Sequence, residues 1–159
     1  MGNYQSVISI GSGAFRSTEV NININDMPNL TTVESGAFQS AKGVIASNNN
    51  FPIGLKIIKS YAFSNCPKFN LTDFRNFTTI EANAFSSSGK DVTDTIEVNV
   101  SSLSKESFLG GPNNIFQDYS AIPLTIAYIF YVASGETFDD TWVSNLWGIK
   151  STNFQKKDI

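Results

Sequence analysis

Leu30-Thr31-Thr32-Val33-Glu34-Ser35-Gly36-Ala37-Phe38 is the stretch whose reading decides the fold, because the chain repeats it. Val7-Ile8-Ser9-Ile10-Gly11-Ser12-Gly13-Ala14-Phe15 precedes it. Leu55-Lys56-Ile57-Ile58-Lys59-Ser60-Tyr61-Ala62-Phe63 and Phe77-Thr78-Thr79-Ile80-Glu81-Ala82-Asn83-Ala84-Phe85 follow. A looser fifth copy runs from Val100 to Phe108, with Leu103 at the inner apolar position and Ser107 in place of Ala. The shared pattern is apolar-x-x-apolar-x-x-x-small-Phe. Its Phe positions, Phe15, Phe38, Phe63, Phe85 and Phe108, are separated by 23, 25, 22 and 23 residues. Self-similarity at so even a period is the signature of a repeat architecture.

Three residues after each Phe stands a small residue: Thr18, Ala41, Cys66, Ser88 or Gly111. Small side chains in register with a large aromatic predict a tight interior turn. Cys66, the only cysteine, is accounted for there as a small buried hydrophobe.

A period of 20 to 29 residues is that of leucine-rich repeats. The motif resembles the BspA-like class of that family, whose hallmark is I-x-x-x-A-F followed by a small residue or Cys. Ile58 to Cys66 is the clearest match, with Ala62-Phe63-Ser64-Asn65-Cys66. The resemblance extends over about residues 7–154. It implies a single leucine-rich-repeat solenoid over residues 1–159, with repeats at about 7–29, 30–54, 55–76, 77–99 and 100–123. One such coil cannot bury its own Val, Ile and Phe, whereas stacked coils share a continuous core. The five Phe residues are the structural anchors of that core.

Between the copies lie second segments. Val20-Asn21-Ile22-Asn23-Ile24-Asn25, Phe69-Asn70-Leu71-Thr72 and Ile96-Glu97-Val98-Asn99-Val100 alternate apolar and polar, a strand signal. Val44-Ile45-Ala46 is a weaker version, and Leu124 to Val132 is apolar on both faces. Each is expected to give one strand of a parallel sheet of about five short strands, stacked ~4.8 Å apart. With the apolar residues inward, Asn21, Asn23, Asn70, Thr72, Glu97 and Asn99 face outward as a polar strip, the candidate ligand-binding surface.

The ends of a solenoid need covering. At about 124–159 the expectation is a last strand followed by a helical cap. Phe138, Trp142 and Leu146 recur at helical spacing, Glu136, Asp139 and Asp140 lie near the helix start, and Gly148 can end it. The family's usual ending is similar, a Val-Pro-x-Gly turn and a short helix bearing Trp, although Val132-Ala133-Ser134-Gly135 carries Ala for Pro. At the other end the chain enters at Val7, halfway into a repeat, with no comparable cap.

The chain carries 11 Lys plus Arg against 14 Asp plus Glu, a net charge of -3. No basic face for nucleic acid is implied, and no stretch is long enough to insert in a membrane. Without any His, neither a His-assisted triad nor a His-bearing zinc site can form. Asp91 with Asp94, and Asp139 with Asp140, are the carboxylate groupings; the first reads as a solvated loop, since calcium takes six or more oxygens. Adjacent helical residues do not face each other, which removes the second as a dyad. No cofactor or metal is expected, and no enzyme activity.

The expectation is a non-enzymatic module that binds a protein or glycan through its polar strip. The rival is a structural protein that self-associates through its open first coil. The resemblance implies a role in adhesion and a place on the cell surface or in the secreted fraction. No signal-peptide pattern opens the chain.

Overall fold

The computed structural model describes residues 4–46, 51–68 and 77–88 with their side chains, and the backbone of three further strands at 96–99, 128–132 and 154–158. The motif itself builds the largest sheet. Strands β1 (Ser9–Ile10), β3 (Thr32–Val33), β5 (Ile57–Ile58) and β6 (Thr79–Ile80) pair parallel in the order β1-β3-β5-β6. Register joins Ile10 to Val33, Val33 to Ile58 and Ile58 to Ile80, so each repeat sits on the equivalent residues of the next.

The second segments form other sheets. Strand β2 (Ile22–Asn23) pairs parallel with β4 (Val44–Ile45), followed within its own coil by a 3-10 turn at Ile24–Asp26. Strands β7 (Ile96–Asn99), β8 (Tyr128–Val132) and β9 (Phe154–Asp158) make a third parallel sheet. This corrects the expected arrangement of one sheet carried by the alternating segments. Alternation cannot reveal a two-residue strand, so the motif strands left no period-2 trace. They are specified instead by their columns of β-branched residues, which fit a pleated, half-buried surface.

The core is a set of columns running through the coils. Ile10, Val33, Ile58 and Ile80 form one, Leu30, Leu55 and Phe77 another, and Ala37, Ala62 and Ala84 a third, all buried. Phe15, Phe38, Phe63 and Phe85 stack with centroids 5.2, 5.3 and 5.5 Å apart and rings within 9° of parallel. Phe51 enters this core and meets Phe77 edge-on at 4.9 Å.

Backbone bonds repeat with the same translation. Phe15 N donates to Ala37 O at 2.7 Å, Phe38 N to Ala62 O at 2.8 Å and Phe63 N to Ala84 O at 2.8 Å. Thr31 N donates to Ile8 O, Lys56 N to Thr31 O and Thr78 N to Lys56 O at 2.8 to 2.9 Å. Consecutive tight turns surround each Phe, and the residues two before and two after it adopt positive φ. The first set is Gly13, Gly36, Tyr61 and Asn83; the second is Ser17, Ser40, Asn65 and Ser87. Glycine and asparagine suit that geometry. Tyr61, at φ 58°, does not.

The expected cap helix near 136–148 falls outside the described residues, and no α-helix occurs among those described. Strand β9 beyond it is an addition to the expected ending. Phe154-Gln155-Lys156-Lys157-Asp158 is polar and does not alternate. Its pairing with β8 satisfies main-chain groups, a requirement that side-chain pattern does not advertise.

Candidate ligand-binding surface

The polar strip is met in two parts. Asn21 is exposed just before β2, and Asn23 is half-buried within it. Asn23 Oδ1 accepts a bond from Asn25 N at 3.2 Å, capping the 3-10 turn. Its register partner on β4 is Ile45, 40% exposed, so this face mixes amide and aliphatic groups. Val20, expected to point inward with Ile22 and Ile24, is instead 61% exposed, because the strand starts only at Ile22. Glu97 and Asn99 occupy alternate positions of β7, whose hydrogen-bonded partner is β8. Asn70 and Thr72 lie outside the described residues, as do Phe108 and the four aspartates Asp91, Asp94, Asp139 and Asp140. The structure thus brings Asn21 together with Asn23, and Glu97 with Asn99, in separate hydrogen-bonded sheets.

Cys66 is fully buried. Its Sγ donates to Phe38 O at 3.0 Å, and its N–H donates to Ser88 Oγ at 3.3 Å. Burial pushes the thiol up to about 12, against the smaller opposing effect of a backbone bond from Ala41. A thiol so protonated is no nucleophile. Ser88 repeats the arrangement one coil on, its Oγ donating to Phe63 O. At Cys66 and Ser88 the small residue therefore also donates to the carbonyl of the preceding coil's Phe.

Outside the motif sheet runs a charged column, Glu34, Lys59 and Glu81. Lys59 Nζ lies 2.9 Å from Glu81 Oε1, while Ser60 donates to Glu81 Oε2 through both N and Oγ at 3.0 Å. Burial pushes the Glu81 carboxyl up, but the bonds from Lys59 and Ser60 outweigh it and hold the group below the ordinary carboxylate value. Among the described residues no cluster of His, Cys, Asp and Glu could hold a metal ion.

Two hollows remain. One, of about 430 Å³, opens at the first coil between Tyr4, Ile10, Phe15, Val20 and Met27. The other, of about 210 Å³, is a shallow groove along the turns of the first three coils, walled by Ser12, Arg16, Ser35, Gln39, Ser60 and Tyr61. Gly13 and Gly36 also line it. The repeat pattern marks the packing positions and does not reveal the groove beside them. The available signal was that the unconstrained positions beside each Phe hold Arg16 and Gln39, with Tyr61 where a glycine fits best.

Stacked coils with in-register parallel strands and an aromatic ladder define a leucine-rich-repeat type of solenoid. The family model of the BspA type leucine rich repeat region matches residues 3–115 in six copies, and the chain belongs to that family. Members are generally protein-interaction or adhesion modules, typically non-enzymatic and often surface-located or secreted. No curated protein and no solved structure matches the chain. Among the described residues no helix is long and apolar enough to cross a membrane.

Proposed function

We propose that the chain is a non-enzymatic adhesion module of a surface or secreted protein, binding a protein or glycan ligand through the outer face of its second segments. The observation that carries this reading is the parallel pairing of β2 with β4, which lays equivalent outward positions side by side. Repeat proteins use such faces for extended contacts whose many weak bonds add. Asn21, Asn23, Asn70, Thr72, Glu97 and Asn99 supply amide, hydroxyl and carboxylate groups to hydrogen-bond a ligand. The exposed Ile45 adds an apolar contact among them.

The test is binding of the chain to a panel of immobilised extracellular-matrix proteins and glycans. Joint replacement of Asn21, Asn70 and Asn99 by Ala removes binding and leaves the melting temperature within a few degrees. Asn23 is kept, because its removal would uncap the 3-10 turn and cost about 1 kcal/mol. Binding that survives the triple replacement contradicts the reading.

A second reading is favoured by the hollow at the first coil. Val20 and Tyr4, which line it, are 61% and 49% exposed, and with Val7 and Met27 they give an apolar face suited to a second copy of the chain. Light scattering over a dilution series decides it: self-association shows as mass rising with concentration, and a constant monomer mass excludes it.

A further inference from the structure

We propose that the groove along the motif turns is a second binding site, one that takes a saccharide bearing a single carboxylate. It lies on a different part of each coil from the strip invoked above, and stands or falls separately from it. Three features point to this ligand class. Arg16 makes no ion pair with any described residue, although Lys42 and Lys59 each pair with a glutamate. An unpaired guanidinium offers a planar fork that matches a carboxylate.

Tyr61 is the second feature. Its backbone holds φ 58°, a geometry filled by Gly13 and Gly36 in the preceding coils. A bulky residue kept in so unfavourable a conformation points to a use for its side chain. The ring remains 45% exposed and lines the groove, while Asn83 Nδ2 donates to its hydroxyl at 3.1 Å from the coil behind. A pre-positioned, half-exposed ring is what the apolar face of a pyranose stacks upon.

The third feature is the character of the walls. Between Arg16 and Tyr61 lie the Gln39 amide and the hydroxyls of Ser12 and Ser35, groups that exchange hydrogen bonds with sugar hydroxyls. Neighbouring coils are ~4.8 Å apart, so three coils span the length of two sugar rings. A peptide would want apolar pockets or an open strand edge. Here the backbone is already bonded coil to coil through Gly13 N to Ser35 O and Gly36 N to Ser60 O. The net charge of -3 disfavours a polyanion, so one carboxylate against one arginine is the match.

Saturation-transfer NMR of the full chain with 3′-sialyllactose, with lactose and with an acidic tetrapeptide tests this. Sialyllactose binds, and lactose binds about tenfold more weakly. Arg16→Gln lowers sialyllactose affinity about tenfold, to the lactose level, as expected for one lost charge-assisted bond. Tyr61→Gly removes the signal of both sugars without lowering the melting temperature, since glycine accepts the backbone geometry. Lys42→Gln, which removes a positive charge outside the groove, leaves all of this unchanged. The proposal is overturned if sialyllactose gives no transfer, if the tetrapeptide alone binds, or if both groove variants bind like the parent chain.

Discussion

At the scale of single residues, the motif divides into positions fixed by packing and positions left free. Phe63 belongs to the first kind. It is fully buried, stacked between Phe38 and Phe85 and touched by Phe51. Phe63→Ala removes contacts with two coils at once and is expected to cost about 3–5 kcal/mol, read from the urea midpoint. Cys66 shows what the small position demands beyond size. Its thiol is held protonated up to about pH 12, above an ordinary value near 9. A proton bound more tightly in the folded state stabilises it below pH 9, and this contribution is lost as pH rises from 9 towards 12. Labelling by a thiol reagent at pH 8 should therefore be slow in the native chain and fast in urea; rapid native labelling would contradict the buried placement. Size and burial at both positions were legible in the sequence. The bond from Cys66 Sγ to Phe38 O was not, because it joins coils rather than neighbours.

At the scale of elements, two-residue strands depend on the coils they belong to. A pair of that length alone in water would be unstable; the motif sheet has four in register, and the β2–β4 pair is held on the buried residues Ile22 and Val44. The alternating segments predicted strands correctly at Ile22–Asn23 and Ile96–Asn99, the weaker one at Val44–Ile45, and the doubly apolar run at Tyr128–Val132. What they could not convey was that the motif forms a sheet of its own, since Leu30-Thr31-Thr32-Val33 shows no alternation. The candidate strip was legible as a list of polar positions, but not as a surface. Asn23 is partly consumed by its cap, and Ile45 interrupts the amides. Gly43 fixes how closely β2 and β4 approach. A Cβ there would collide with the Val20 carbonyl oxygen, which is backbone and has little freedom to yield. Ile22 N also donates to Gly43 O at 3.1 Å. Gly43→Ala should lower stability by more than the ~1 kcal/mol typical of an unstrained substitution, with loss of amide protection at Ile22; an unchanged melting curve would show that the coils can move apart. The groove prediction belongs to this scale too, because it needs three coils held in sequence.

At the scale of the whole molecule, the consequence is a separation of roles. The aromatic ladder and aliphatic columns make a scaffold whose stability is close to a sum over neighbouring coils. The binding roles proposed above fall to what the coils present outward, namely the second-segment face and the motif groove. That separation rests on one claim, that the Phe residues of successive repeats stack directly upon one another along a single axis. Ring-to-ring nuclear Overhauser effects test it most directly. The account predicts cross-peaks linking Phe15 to Phe38, Phe38 to Phe63 and Phe63 to Phe85, with none between Phe15 and Phe63. Phenylalanine rings that see only residues within their own repeat, or Phe15 in contact with Phe63, would contradict it.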